Sequence, residues 1–382
     1  MKFDNTNTHL QRALQSIPLA TQTFSKSTLA LPAGCSPLFA EKANGAYLWD
    51  LDGNRFLDLV SSLLCISLGY ADPDVNEAVI QQVANGSIFS LPHTLEAEVA
   101  ELLIQHIPCA EKVRFGKNGS DATSAAIRLA RAYTGKNEVA VCGYHGWHDW
   151  YIGSTSRDLG VPNAVKELTH TFTYNNFDSV QSLLAQHGEQ LAAIILEPMN
   201  LHYPAAGFLE MLREETTKRG IVLIFDETIT GFRFDLGGAQ TMFGVTPDLA
   251  TFGKGMANGF PISAVVGRND IMRLMEDIFF SGTFGGETIA LAAAKACILK
   301  MVKQQVPQHL HTIGRQLLDG LDALINKHQL ADWVSTAGHP AWSFCLFNPT
   351  NVDPLLLKSV YIQEMIARNV LTIGSHNLSY SH

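Results

Sequence analysis

The stretch AAIILEPMNLHYPAAGFLEMLREETTKRGIVLIFD, residues 192–226, decides the fold. It contains two apolar runs, 192–196 and 221–225, which are separated by an amphipathic segment and by Gly220. Short apolar runs on either side of a helical pattern are typical of a β-α-β unit, in which two buried parallel strands flank a helix. Gly220 stands where a helix C-cap is expected. We therefore predict a parallel sheet.

Carboxylates follow both predicted strands, Glu197 after the first strand and the pair Asp226 and Glu227 after the second. The carboxyl ends of strands are where open α/β sheets place their ligands. A carboxylate at the mouth of a buried strand needs a partner, because an unpaired buried charge is costly. A protonated pyridine nitrogen would serve Asp226. The alternative is a structural acid that pairs with Arg233 or caps a helix.

A lysine between two glycines, Lys254, follows the short strand-like segment 248–253. Gly253 and Gly255 remove side-chain bulk around the amine, and a lysine desolvated at such a place can form an imine with an aldehyde. The plain alternative is a solvated surface lysine, which is what a lone lysine usually is. The neighbouring features therefore decide whether Lys254 is a candidate Schiff-base lysine.

Two glycine-containing loops precede helix-like segments and are candidate phosphate sites. In the first loop, Gly119 and Ser120 open an alanine-rich helical pattern, where free backbone amides point outward. In the second loop, Thr283 precedes the helical pattern 287–300. Helix N-termini bind phosphate groups readily. An ordinary N-cap, by Ser120 or Asp121 in the first loop, is the more common explanation.

An aromatic residue, Tyr144, follows the strand-like segment 138–142. At a strand end its ring can stack on a planar heterocycle, and ordinary packing in the core is the alternative. Five features of this kind, each at the end of a predicted element, are hard to explain as independent accidents. Together they indicate one small-molecule site.

Composition and charge favour a small-molecule enzyme over a protein that binds nucleic acid or membrane. The chain has 382 residues, 46% of them apolar and 16% charged, and a formal net charge of −9 without a basic stripe. Its six cysteines include no CxxC pair, which argues against a disulfide framework and a zinc site, so we expect no metal. The first residues lack the apolar segment of a secretion signal, and no apolar run is long enough to cross a bilayer. We therefore expect a cytoplasmic protein.

The patterns along the chain predict three segments. Residues 71–305, where helix-like and strand-like patterns alternate, are expected to form the large α/β domain. Residues 1–70 contain Asp52 followed by a glycine, which is a strong hairpin signal. Residues 306–382 have the pattern of a helix, a strand and a second helix. We expect the two ends of the chain to form one small α+β lobe.

The amino-acid sequences of these motifs and their order along the chain resemble those of the class III (subgroup II) aminotransferases of fold type I, which depend on pyridoxal phosphate (PLP). The likeness covers nearly the whole chain and is greatest to the glutamate-1-semialdehyde aminomutase branch. It rests on the segments GAYLWDLDG (45–53), NGSDA (118–122), YHG (144–146), LEP (196–198), FDETITGFR (225–233), FGKGMANGFP (252–261) and GT (282–283).

The resemblance implies an α/β fold of PLP fold type I, with a large domain around a mostly parallel central sheet and a smaller α+β domain from both chain ends. It implies that Lys254 carries PLP as a Schiff base and that Asp226 holds the pyridine nitrogen protonated. Lys254, once released, would move a proton as general base and acid. The other implied cofactor contacts are Gly119 and Ser120 at the phosphate, Tyr144 on the ring, Glu197, Thr228, and Thr283 at the phosphate of the neighbouring subunit of a homodimer.

Three segments depart from the aminomutase pattern where substrate is expected. QTFSK (22–26) replaces an Asn-Ser-Pro-Val-Arg segment whose arginine holds the substrate carboxylate in the family pattern, and Lys26 cannot form a bidentate fork. LLC (63–65) replaces Trp-Gly-Pro, and GTFGGET (282–288) replaces Gly-Thr-Leu-Ser-Gly-Asn-Pro. Residues 375–382 resemble the strand that precedes a final helix in the family, so we expect the chain to stop before that helix.

These departures favour PLP chemistry with a changed substrate, namely transfer of an amino group from a donor to an aldehyde or keto compound in a ping-pong cycle. The nearest alternative is a glutamate-1-semialdehyde 2,1-aminomutase that forms 5-aminolevulinate. A fold kept only for partner binding is disfavoured because Lys254 and Asp226 are both present. A nicotinamide dehydrogenase is disfavoured because no GxGxxG motif follows a predicted strand.

Overall fold

The β-α-β unit predicted from residues 192–226 is present in the computed structural model, which describes every residue from Met1 to His382. Strand Leu191–Leu196 is followed by helix Phe208–Arg219 and strand Val222–Asp226, and the two strands pair in parallel. The helix ends at Gly220, whose φ of 63° lies in the left-handed region that suits a C-cap. The predicted parallel pairing is therefore confirmed.

The strands and helices are numbered separately in chain order. The strands are β1 (Ala40–Asn44), β2 (Tyr47–Asp50), β3 (Arg55–Asp58), β4 (Lys112–Gly116), β5 (Glu138–Cys142), β6 (Thr169–Thr171), β7 (Leu191–Leu196), β8 (Val222–Asp226), β9 (Leu249–Phe252), β10 (Ser263–Gly267), β11 (Val334–His339), β12 (Trp342–Phe347), β13 (Val370–Leu371) and β14 (Ser375–His376). The α-helices are α1 (Asp4–Leu14), α2 (Ser61–Leu64), α3 (Pro73–Asn85), α4 (Thr94–His106), α5 (Gly119–Thr134), α6 (Asp149–Ile152), α7 (Asn163–Lys166), α8 (Phe177–His187), α9 (Phe208–Arg219), α10 (Ala239–Phe243), α11 (Asn269–Met272), α12 (Thr288–Gln304), α13 (Val306–Lys327) and α14 (Pro354–Ala367). None of the helices combines the length and the apolar character that a membrane span requires.

These elements group into two units, a larger one of residues 74–307 and a smaller one of residues 1–73 and 308–382. The larger unit holds a seven-stranded sheet in the order β4-β10-β9-β8-β7-β5-β6. The five strands β6, β5, β7, β8 and β9 are parallel, whereas β10 is antiparallel to both β9 and β4. The chain thus has the α/β fold with a mostly parallel central sheet that the sequence predicted.

Helices cover both faces of this sheet. Successive side chains of a strand point to opposite faces, so each strand contributes to both apolar layers. On one face, Ile195 and Ile224 pack with residues of α5 such as Leu129. On the other face, Ile194 and Leu223 pack with residues of α8 and α9. Both faces of β7 and β8 are therefore dry, which is why every position of the two apolar runs is apolar.

The smaller unit contains two sheets, β1-β2-β3-β13 and β11-β12-β14. The hairpin predicted at Asp52 joins β2 to β3, and Gly53 has a φ of 78° in its turn. An apolar cluster in which Phe3 and Phe56 meet Ile366 draws the first residues of the chain to α14. Of the strand predicted within residues 375–382, only the pair that forms β14 is extended and paired.

Candidate active site

Asp226, at the end of β8, is a buried acid whose two carboxylate oxygens are both hydrogen-bonded. Oδ1 accepts from Thr228 Oγ1 at 2.5 Å and from Thr251 Oγ1 at 3.0 Å, and Oδ2 lies 2.9 Å from His145 Nδ1. Thr251 is in place because β8 and β9 pair in register at Asp226 and Thr251. Each oxygen of this buried group thus has a partner, which is the condition for keeping it ionised.

His145 is the buried ring that faces Asp226. Its Nε2 lies 3.1 Å from the carbonyl oxygen of Cys142 while its Nδ1 faces the carboxylate, so both ring nitrogens face acceptors. Both contacts are hydrogen bonds only when the ring carries two protons. Burial raises the pKa of Asp226, but the interactions with His145, the hydrogen bond from Thr228 and the charge of Lys254 together hold the pKa below its usual value. The two side chains form a buried pair of an imidazole and a carboxylate in hydrogen-bond contact.

Lys254 begins a short 3-10 helix, Lys254–Ala257, directly after β9, the neighbour of β8. The charge of this lysine helps to lower the pKa of Asp226, although its effect is smaller than those of His145 and Thr228. A Cβ on Gly253 would lie 3.3 Å from Thr228 Cγ2, so the glycine keeps the space beside the lysine open. The lysine side chain is partly exposed, which leaves its amine accessible to a ligand.

The predicted phosphate loop is the first turn of α5, which begins at Gly119. Asp121 accepts hydrogen bonds from the backbone amides of Lys117 and Asn118, at 3.0 and 2.7 Å. The amides of Gly119 and Ser120 have no acceptor within the helix, because helical N–H groups bond to carbonyls four residues earlier. They are therefore donors for an anion, which the positive end of the helix also attracts.

Thr228 and Gly146 fit closely against this first turn. A Cβ on Gly119 would lie 3.3 Å from Thr228 Cγ2, so Thr228 lies beside the loop. Ser120 Oγ accepts a hydrogen bond from the amide of Trp147 at 3.3 Å. Gly146 has a φ of 104°, and a Cβ there would overlap Ser120 Oγ. Glycine at position 146 thereby lets the loop after β5 pack against the helix N-terminus.

Glu197, directly after β7, holds the backbone of Tyr144. Its Oε2 accepts hydrogen bonds from the Tyr144 amide at 3.0 Å and from Asn200 Nδ2 at 2.9 Å. Burial, together with the charge of Asp226, raises the pKa of Glu197. The Tyr144 ring is 59% exposed and meets Tyr151 edge-on, with 5.7 Å between ring centroids. Tyr144 is therefore accessible to a ligand, and core packing does not account for it.

Thr283 does not join this cluster. It is exposed and lines a cavity of ≈ 410 Å³ whose other walls include Phe115 and Phe280. The remaining seven predicted site residues come together within one chain, at the end of the sheet where its parallel strands finish. These seven are Gly119, Ser120, Tyr144, Glu197, Asp226, Thr228 and Lys254.

Two members of the cluster, His145 and Thr251, were not assigned a role from the sequence. The motif YHG (144–146) drew attention to the tyrosine at a strand end, and the next ring is the one that meets Asp226. Thr251 lies within β9 as one of four buried residues, so its hydroxyl group was the only signal available. A buried threonine beside an acid in the neighbouring parallel strand is recognisable only once the strand order is known.

The chain is similar to proteins of known activity. The family model described as "Aminotransferase class-III" matches residues 30–358. A glutamate-1-semialdehyde 2,1-aminomutase from Rhodopirellula baltica is 38% identical over 367 residues, which cover 88% of this chain and 83% of that protein. A 3-aminobutyryl-CoA aminotransferase from Cloacimonas acidaminovorans is 34% identical over 357 residues, which cover 91% of this chain and 85% of that protein.

The fold of the chain is also similar to that of a transaminase of known structure. The crystal structure of an omega-transaminase from Sphaerobacter thermophilus superimposes with a TM-score of 0.86 at 30% identity, over 98% of this chain and 93% of that one. The similar proteins thus carry names for two related activities, one that exchanges amino groups between molecules and one that moves an amino group within a molecule.

Proposed function

Because the chain belongs to the class-III aminotransferase family, whose cofactor is pyridoxal phosphate, we propose that it is a transaminase that moves an amino group from a donor to an aldehyde or keto acceptor. In this proposal Lys254 Nζ binds the cofactor covalently and Asp226 faces the ring nitrogen. The proposal rests on one observation: the lysine, the His145–Asp226 pair and the N-terminus of α5 lie together at one end of the sheet. The mainly parallel sheet is that of PLP fold type I.

The charges of the site suit the three parts of this cofactor. The ionised Asp226 is a partner for a protonated ring nitrogen, which would compensate the buried charge. The amides of Gly119 and Ser120, at the positive end of α5, suit a phosphate dianion. The exposed ring of Tyr144 offers a face to a planar heterocycle. Each of these groups therefore has a complementary group on the cofactor.

Pyridoxal phosphate supplies, when bound, an aldehyde that captures amines and a cationic ring that accepts electrons from the amine-bearing carbon. Asp226 holds the proton on the ring nitrogen, because a buried anion beside it makes loss of that proton unfavourable. His145 favours the ionised form of Asp226, since its Nδ1 faces the carboxylate while its Nε2 faces the Cys142 carbonyl oxygen. Lys254 Nζ would hold the aldehyde carbon of the cofactor and, when free of it, would take up and return a proton as general base and acid.

The proposed acceptor differs from glutamate-1-semialdehyde. Lys26 stands where the aminomutase pattern has an arginine, and a lysine cannot hold a carboxylate through two parallel hydrogen bonds. Residues 63–65 are Leu-Leu-Cys where that pattern has Trp-Gly-Pro. Two similar proteins, at 34% and 30% identity, are named as an aminotransferase and a transaminase, which supports transamination of another acceptor.

An aminomutase is the second candidate, since a protein with that name is 38% identical to this chain. A mutase returns the amine to the neighbouring carbon of the same molecule and needs no separate donor. Incubation of the purified protein with glutamate-1-semialdehyde alone separates the two candidates, and no 5-aminolevulinate is expected. If 5-aminolevulinate forms without any amino acceptor, the mutase replaces the transaminase.

A screen of amino donors and carbonyl acceptors, followed by absorption spectroscopy, tests the proposal directly. An active donor is expected to remove the visible band of the lysine-bound cofactor, and an active acceptor to restore it, as a ping-pong cycle requires. Amino acids such as glutamate and simple ω-amines are the donors to test first. A reconstituted protein that is colourless, with no borohydride-reducible adduct at Lys254, contradicts the proposal.

The proposed enzyme is a homodimer in which Thr283 of one subunit lies at the cofactor phosphate of the other. The exposed side chains of this segment support a dimer: Thr283 is exposed, and the neighbouring residues Phe279 and Phe284 are 82% and 57% exposed. Exposed aromatic side chains in one stretch are typical of a surface that a partner covers. A particle of two 41.8 kDa chains is expected by light scattering.

Mixed dimers test the role of Thr283. Lys254→Ala and Thr283→Ala chains are each expected to have little activity as homodimers. A mixed dimer has one site with an intact lysine and an intact threonine, so activity is expected to recover when the chains are exchanged. Absence of recovery in verified mixed dimers would mean that Thr283 acts within its own chain or not at all.

A further inference from the structure

Two histidines and a glutamate converge at the amino end of β5, outside the site described above. Glu138 is the first residue of β5, His170 lies in β6, and His187 is the last residue of α8. His170 Nε2 and His187 Nδ1 lie 2.8 and 2.9 Å from the same oxygen, Glu138 Oε2. The three ligand-type atoms all lie within 4.8 Å of one another.

The spacing of these atoms suits a metal ion. Zn²⁺ binds imidazole nitrogen and carboxylate oxygen at about 2.0–2.2 Å, so the ligand atoms around a tetrahedral zinc ion stand about 3.3 Å apart. The two nitrogen–oxygen distances would need to open by about half an ångström to reach that spacing. The side chains of His170, His187 and Glu138 are 20%, 32% and 23% exposed, so an ion can enter from solvent and keep a water ligand.

The two imidazole rings of the cluster lie against each other and face the same carboxylate. The rings of His170 and His187 stack with 3.7 Å between centroids and 26° between planes. Both rings also direct a nitrogen at one oxygen of Glu138. A divalent ion binds the lone pairs of neutral imidazoles and of a carboxylate, which are the groups that converge here.

We propose that Glu138, His170 and His187 bind one divalent transition-metal ion, with Zn²⁺ as the best match for two imidazoles and a carboxylate. The ion joins the edge strand β6, which pairs with β5 on one side only, to β5 and α8. Glu138 and Cys142 stand at opposite ends of β5, about 13 Å apart at about 3.3 Å per residue. The site is therefore separate from the cluster around Asp226.

Zinc titration of the metal-stripped, PLP-loaded enzyme tests the proposal by calorimetry. One equivalent per chain is expected to bind to the wild type, with affinity lower by at least about tenfold in His187→Gln and in Glu138→Gln. His328→Gln, which removes an exposed histidine elsewhere, is the matched control and is expected to bind like the wild type. Equal affinities of the wild type and both cluster variants, or no binding by the wild type, overturn the proposal.

The identity of the ligands is read from the wild type, so this part of the test does not depend on the folding of any variant. X-ray absorption of the protein with one equivalent of zinc is expected to report two imidazoles and oxygen ligands. Sulfur ligands, which the six cysteines could supply, would assign the ion to another place and overturn the proposal. Transaminase activity is expected to be unchanged in His187→Gln, so failure of the metal site would leave the proposed function standing.

Discussion

His145 Nδ1 lies 2.9 Å from Asp226 Oδ2, and this contact joins two strands that are not neighbours in the sheet. His145 follows β5, Asp226 ends β8, and β7 lies between these two strands. The histidine therefore reaches the acid across the end of β7. Both side chains are buried, so removal of His145 leaves the buried carboxylate without this partner.

Replacement of His145 by glutamine is expected to lower kcat by about 10- to 100-fold, where each tenfold step is about 1.4 kcal/mol of activation free energy. Glutamine retains one hydrogen bond to Asp226 but loses the electrostatic interaction that lowers the pKa of this acid, so less of the carboxylate is ionised to face the ring nitrogen. Steady-state kinetics and the absorption spectrum measure the effect. His148→Gln is the control, because His148 contacts Ser124 instead. A wild-type kcat in His145→Gln would show that the contact between His145 and Asp226 does not contribute to catalysis.

Replacement of Lys254 by alanine is expected to reduce turnover by at least about 1,000-fold while PLP still binds non-covalently at the start of α5. Lys254→Arg keeps the positive charge near Asp226 without a nucleophilic amine, and it is also expected to be inactive. The comparison separates the chemistry of the amine from its charge. Borohydride reduction followed by mass spectrometry locates the adduct, and turnover near the wild-type rate in either variant is inconsistent with the assigned role.

Alanine at Gly146 is expected to weaken PLP binding by at least about tenfold, or 1.4 kcal/mol. Gly160 is the matched control, because both glycines have positive φ, 104° and 90°, and both lose about 1 kcal/mol or more to backbone strain as alanine. A Cβ overlaps Ser120 Oγ only at position 146, and at 160 it meets nothing within 4 Å. Fluorescence titration of the apo-protein measures PLP affinity. Equal affinities in the two variants would show that the loop after β5 does not shape the phosphate site.

The buried His376 is expected to make the chain less stable in mild acid. Burial lowers the pKa of His376 from 6.5 to about 4. As pH falls from about 6.5 to about 4, the unfolded chain takes up a proton that the folded chain does not, so about 3 kcal/mol of stability is lost across that window. His376→Gln is expected to reduce this loss, measured as the shift in denaturant midpoint between pH 7 and about pH 4.5.

His328→Gln is the control for this titration, since His328 is exposed and its removal is expected to leave the pH dependence as in the wild type. The expectation fails if His376→Gln and the wild type lose the same stability between these two pH values.

Local signals in the sequence were sufficient to predict the elements that carry the candidate site. The apolar runs predicted β7 and β8, and Gly220 marked the end of α9 between them. The glycine after Asp52 predicted the hairpin between β2 and β3. These predictions succeeded because a buried strand, a helix cap and a tight turn each depend on a few adjacent residues. The same reasoning could not predict partners that are distant in the chain.

By itself, the sequence determined which residues stand at the ends of elements. It placed Glu197 and Asp226 after apolar strands, Lys254 after a third strand, and Gly119 at the start of a helix. Parallel strands finish at one edge of a sheet, so these positions already indicated a shared site. The cofactor class followed from the order of those motifs along the chain.

Only the tertiary structure decided which of the distant residues meet. The strand order β9-β8-β7-β5-β6 puts His145 opposite Asp226, and it brings His170 and His187 to Glu138 although they are 32 and 49 positions further along the chain. The physical reason is that strand order follows from the packing of both faces of the whole sheet, a sum over many weak contacts that no short stretch of residues encodes.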